Sequence, residues 1–193
     1  MQVAFSEDQI QKRVQEIGLE VSRDYGAEVL HVVGILENSF IFLADLVRKL
    51  TCPVACHFTK MATRDTVMGD QPVRSIGYDP IINPEGKGIL VEGNNILVVD
   101  ALVESGITLD HLVQQLLLKK PKSIRTAALI DREDRRRVPF RVDYAGFSWD
   151  GGHLAGYVLE KDGLYRNLPY MAAITPAAPG ASGGARQGGG VTS

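Results

Sequence analysis

The sequence predicts an α/β fold: a central, mostly parallel sheet flanked by helices. Three observations predict it. Apolar runs rich in β-branched residues, VLHVVGIL at 29–36, NILVVD at 95–100 and SIRTAALI at 123–130, have the character of strands buried on both faces. Segments of helical period lie between such runs, at Ser39 to Leu50 and Leu109 to Lys119. Strand and helix alternate along the chain, the order that crossover helices on a parallel sheet produce.

Each element has a local reason. Ser6 with Gln9 fits a capping box, and Ile10, Val14, Ile17 and Val21 follow at helical spacing until Gly26 stops the helix. After the strand at 29–36, SFIFLADLVRKL is helical, and Pro53 opens a further strand, Val54 to Phe58. Thr59 to about Gln71 reads as a polar, irregular stretch. NILVVD runs into ALVESGIT and then a helix with Leu112 and Leu116 inward and Pro121 as its stop. From Thr175 to Ser193 the chain is Gly-, Ala- and Pro-rich, which cannot bury enough surface to offset its ordering entropy, so a disordered tail is expected there.

Composition narrows the function classes. A chain of 193 residues with 45% hydrophobic residues and a net charge of -2 has no global attraction for nucleic acid or an anionic membrane. Two cysteines cannot frame a disulfide-rich fold, and no apolar run nears the ~20 residues that span a bilayer. No signal peptide is readable at the N-terminus, so a cytoplasmic location is expected.

The segment ILVVDALVESGIT carries the chemistry. In an open parallel sheet, ligands bind beyond the carboxyl ends of the strands, and this strand delivers Asp100 there, with Glu104 in the loop that follows. Ser105, Gly106, Ile107 and Thr108 turn into a helix N-terminus, where successive N–H groups and the helix dipole make an anion nest. Read from spacing alone, the same residues are equally a simple turn with Thr108 as a helix N-cap. The segment has neither the Gly-Lys-Ser/Thr ending of a Walker A loop nor a GxGxxG pattern.

ILVVDALVESGIT resembles the motif by which type I phosphoribosyltransferases bind 5-phosphoribosyl-1-diphosphate (PRPP). ILENSFIFLADLVRKL, KPKSIRTAALIDRE, VDYAGFSW, HLAGYVLE and LYRNLPYMAAI are similar, in the same order, to the hypoxanthine-guanine phosphoribosyltransferases. The resemblance covers nearly the whole chain except the tail. It implies the type I phosphoribosyltransferase fold over residues 1–174, with a small hood subdomain from the C-terminal half, with or without the N-terminal segment. It implies transfer of a phosphoribosyl group from PRPP to a purine base, with Mg2+ bound by the substrate, and a homo-oligomer, dimer or tetramer.

By position, the resemblance puts Ser105, Gly106, Ile107 and Thr108 on the 5-phosphate, Asp100 on the ribose hydroxyls and metal, and Glu104 at the general base. Glu37 and Asn38 stand at the diphosphate loop, Arg132, His153 and Leu154 at the base, and Asn167 near a second metal site. The chain also departs from the pattern. Ala101 replaces the second acid of the family's pair, and Glu104 replaces an Asp. Glu37-Asn38 replaces Lys-Gly, which sets a negative charge beside an anionic leaving group. HFTKMATRDTVMGDQ lacks the family's Ser-Tyr pair, with Thr63 and Arg64 in its place. These departures motivate a second reading, a catalytically reduced homologue that binds PRPP or a nucleotide in a regulatory role.

Other features read as structural. Cys52 and Cys56 fit a buried strand pair, His31 a satisfied core residue, and His111 an exposed helix position. REDRRR at 132–137 reads as a solvated loop or subunit contact.

Overall fold

The computed structural model describes residues 1–68, 71–78 and 91–174. The elements are β1 (Gln2–Phe5), α1 (Glu7–Tyr25), β2 (Leu30–Leu36), α2 (Phe40–Val47), β3 (Val54–Met68), β4 (Gln71–Tyr78), β5 (Asn95–Val103), α3 (Ile107–Leu117), β6 (Ser123–Asp131), a 3-10 turn (Glu133–Arg135), β7 (Tyr144–Ser148), β8 (His153–Ala155) and β9 (Met171–Ile174). The main sheet has the order β4-β3-β2-β5-β6-β7. Strands β3, β2, β5, β6 and β7 are mutually parallel, and β4 closes one edge antiparallel. This is the predicted α/β sheet. The expected tail at 175–193 lies outside the described residues.

The first predicted helix forms for its stated reason. The Ser6 side chain accepts from Gln9 N–H and the Gln9 side chain accepts from Ser6 N–H, so the capping box of α1 is closed in both directions. Ile10, Val14, Ile17 and Val21 are fully buried against one face of the sheet, with Leu30, Val32, Phe42 and Leu46 in the same cluster. The opposite face holds Val33, Ile35, Ile96 and Val98 with Leu109, Leu112 and Leu116 of α3. β2 therefore supplies alternate residues to two cores, which is why its sequence reads as a continuous apolar run and not an alternating one.

Three expectations are corrected. The stretch from Thr59 is not irregular: β3 runs on to Met68 and forms a ribbon with β4, in register from Met61↔Tyr78 to Met68↔Gln71. Backbone bonds to a hairpin partner hold it, so hydropathy does not mark it. The cysteines are not a buried pair: Cys52 is buried ahead of β3, whereas Cys56 on β3 is exposed. Arginines of the 132–137 run are not mere solvated charges, as the site shows below.

The second sheet is the hood, and it uses both termini. Its order is β1-β9-β8, all antiparallel. Phe5 of β1 stacks on Phe147 of β7 at 4.4 Å between ring centroids, which seats the hood on the far edge of the main sheet.

Candidate functional site

Strand order reverses direction at β2, with β3 on one side and β5 on the other. Such a switch point leaves a crevice at the carboxyl ends of the strands. A cavity of about 320 Å³ lies there, lined by Ile35 and Leu36 from β2, Asp100, Leu102 and Val103 from β5, and Glu104, Ser105, Gly106 and Thr108 from the loop into α3. Asn38 and Met61 complete its wall.

The loop presents the N-terminus of α3 to this cavity. Gly106 has φ +76 and stands at the N-cap of α3, with no side chain bonded into the first turn from that position. Thr108 therefore lies within the helix and is not its cap. A Cβ on Gly106 would also meet Arg136 Cδ at 2.9 Å, so glycine is required for both conformation and space. Ile107 N–H donates to Ser105 Oγ at 3.4 Å, and Arg137 N–H donates to the Ser105 carbonyl at 2.9 Å. The arginine run braces this loop from behind. Arg136 donates to the Glu104 carbonyl at 3.0 Å and pairs with the carboxylate of Asp131 on β6.

Asp100 sits on the cavity floor. Its burial raises the carboxyl group to about 7, against the opposing effect of hydrogen bonds from Ala101 and Leu102 N–H. With Ala at position 101 there is no second carboxylate beside it. Among the described residues, no three or more His, Cys, Asp or Glu side chains gather as a metal site. A single carboxylate facing an anion cavity suits a magnesium ion that keeps most of its ligands from substrate oxygens and water.

A second cavity of about 140 Å³ adjoins the first and shares Leu102 and Glu104 with it. Arg132, Arg135, Trp149, His153 and Leu154 make up the rest of its lining. Arg132 is 3% exposed, and its Nη2 donates to the Gly151 carbonyl at 2.6 Å. Its Nε is buried and has no partner among the described residues. Glu104 Oε1 lies 3.6 Å from Arg132 Nη1 and 3.4 Å from Arg135 Nη1. His153 is exposed, with its ring nitrogen 3.0 Å from the Glu160 carbonyl.

Most of the residues singled out in sequence thus converge. Asp100, Glu104, Ser105, Gly106, Thr108 and Asn38 line the first cavity, and Glu104, Arg132, His153 and Leu154 line the second. Glu37, Ile107 and Asn167 line neither, and Glu37 and Asn167 are exposed. The charge of Glu37 is answered by Lys60 at 3.2 Å and Arg166 at 4.0 Å. Arg166, beside Asn167, donates to Asn38 Oδ1 at 2.9 Å and ties the C-terminal half to the β2–α2 turn. Thr63 and Arg64 lie on β3, and their side chains are outside the described residues. Lys60, Arg135, Arg136, Trp149 and Arg166 escaped the sequence reading. A lone Trp followed by Gly151-Gly152 was the one local signal.

A helix N-terminus at a sheet switch point, a carboxylate floor and an adjoining pocket sharing one acid suit a phosphorylated ligand with a second group beside it. The Phosphoribosyl transferase domain model matches residues 6–161. The chain is 32% identical to the hypoxanthine-guanine phosphoribosyltransferase of Bacillus subtilis over 91% of this chain and 93% of that one. It is 34% identical to the enzyme of the same name from Aquifex aeolicus, over 88% and 92%. A hypoxanthine phosphoribosyltransferase structure from Staphylococcus aureus superposes with a TM-score of 0.79 at 27% identity, over 91% of this chain and 92% of that one. The chain belongs to the phosphoribosyltransferase family, in its hypoxanthine-guanine branch.

Proposed function

We propose that this protein transfers the phosphoribosyl group of PRPP to hypoxanthine or guanine and releases diphosphate. The observation that carries this reading is that one carboxylate, Glu104, lines both cavities. A group in that position can serve a purine in the smaller cavity while PRPP occupies the larger. The Ser105–Thr108 loop holds the 5-phosphate with N–H groups, and Asp100 accepts from the ribose hydroxyls. Glu104 takes the proton from the purine ring nitrogen as the bond from that nitrogen to the sugar C1 forms and the bond from C1 to diphosphate breaks. Arg132 donates to the base edge, beside Leu154 and His153. Glu37, paired with Lys60 and Arg166, and Asn38 border the departing diphosphate.

Magnesium, when bound, neutralises diphosphate charge. Asp100 is the side chain on hand to meet it, and Asn167 follows Arg166, which donates to Asn38 of the first cavity's wall. Residues 1–174 form the catalytic unit in this reading. The cysteines are unpaired, which suits a reducing compartment such as the cytoplasm. Among the described residues, no helix is long and apolar enough to cross a membrane. Phe40 and Phe58 expose apolar surface that suits burial against a second copy, as a dimer or tetramer requires.

The direct test incubates the purified protein with PRPP, Mg2+ and hypoxanthine or guanine and measures the nucleoside monophosphate and diphosphate produced. Stoichiometric formation of both is expected. Calorimetric binding of PRPP with no product would favour a reduced, regulatory homologue instead.

A further inference from the structure

We propose that Trp149 is a base-binding residue, the aromatic wall against which the purine packs. This rests on the transferase reading above and names the contact that holds the base. The residue at the stacking position by resemblance, His153, is exposed and engaged with the Glu160 carbonyl. Its small ring offers little apolar surface. The indole of Trp149 lines the same cavity, and it is the sole tryptophan of the chain.

The ring is fixed before any ligand arrives. Its Nε1 donates to the Gly152 carbonyl at 2.8 Å. A Cβ on Gly151 would fall 2.4 Å from Trp149 Cζ2, so only glycine lets the turn fold against the ring. Phe5 meets it edge-on, with ring centroids 5.7 Å apart. The Gly152 carbonyl also accepts from Arg132 Nη1 at 3.4 Å, and Gly151 from Arg132 Nη2. One short turn therefore holds an aromatic wall and a buried guanidinium whose Nε has no acceptor among the described residues. A flat heterocycle with an acceptor on its edge is the chemistry that satisfies both. Stacking on a fixed ring costs little ordering entropy, which is why a rigid aromatic is a strong anchor.

Because Trp149 is the only indole, its emission reports the pocket directly. Guanosine monophosphate, bound to the wild-type protein with Mg2+, should quench that emission by roughly half, saturating at the concentration where calorimetry shows binding. Trp149→Leu should raise KM for the base roughly tenfold, with KM for PRPP changed less than about twofold, and Trp149→Phe should recover most of the loss. Calorimetric binding with unchanged emission, or a Trp149→Leu enzyme with wild-type KM for the base, overturns the proposal. A wild-type protein that neither binds the nucleotide nor turns over PRPP overturns the transferase reading itself.

Discussion

Glu104 shows how much one methylene and two neighbours decide. Its side chain is 45% exposed and faced by two guanidinium groups, one buried on Arg132 and one exposed on Arg135. A carboxylate so placed is held toward the second cavity, and the longer glutamate arm gains reach where the family pattern has aspartate. Replacing it by Gln keeps the shape and removes the proposed base. Glu104→Gln should lower kcat on the order of 100-fold or more while leaving PRPP affinity near wild type, measured by steady-state kinetics and calorimetry. Glu104→Asp retains the base but shifts it by about 1 Å, so its kcat reports whether the surrounding arginines are set for the longer side chain. Asp100 and Glu104 were legible in the sequence because both lie on one strand and its loop. Arg136 and Trp149 were not. Arg136 acts on Glu104 from 32 residues away, and such a contact has no local sequence signature.

Among the elements, β2 and β3 carry a feature that only their pairing reveals. His31 and His57 stand on neighbouring parallel strands, where Val33 is the register partner of His57. Their rings stack with centroids 5.2 Å apart, and His31 Nδ1 lies 3.1 Å from His57 Nε2. One hydrogen bond joins the two, so one nitrogen must be unprotonated. Burial pushes both imidazoles below their ordinary value of 6.5, and the charge of His31 pushes His57 further down. Groups depressed in the folded state stabilise it above their unfolded value and lose that contribution as pH falls through the folded one. The pair therefore works to lower thermal stability below about pH 6.5, opposite in sign to the buried Asp100 carboxyl, raised to about 7, which favours the folded state as pH falls. His57→Asn removes one titrating ring. On going from pH 7.5 to pH 5.5 its Tm should rise relative to that of wild type by roughly a few degrees in a scanning calorimeter, with Asp100 common to both proteins. Parallel acid slopes for the two proteins would show that the pair does not titrate on unfolding. The strands themselves were readable as apolar runs; the contact was not, because it depends on which strands become neighbours and in what register.

At the scale of the whole molecule, the alternation of strands and helices marked β2, β3, β5 and β6 of the main sheet, but not its edge strands β4 and β7. The hood was not fully legible, since β1 and β9 come from opposite ends of the chain and QVAF carries no strong period. What the structure adds is that the hood is not a separate body. Leu154 and Ala155 of β8 and Met171 of β9 are buried, and Leu154 and Met171 belong to the same apolar cluster as Ile17, Leu30 and Phe42. Arg13 of α1 donates to the carbonyls of Ala145 and Gly146 on β7, which links the first helix to the strand beneath the hood. A shared core makes opening one part expose surface of the other, so the two sheets should unfold together. Urea unfolding followed by Trp149 emission, which senses the junction, and by far-ultraviolet circular dichroism, which senses the main sheet and helices, should give coincident transitions. If the emission change comes first, the hood opens on its own. The base pocket would then be assembled only while the hood is closed, and base affinity would weaken at urea concentrations that leave the PRPP cavity intact.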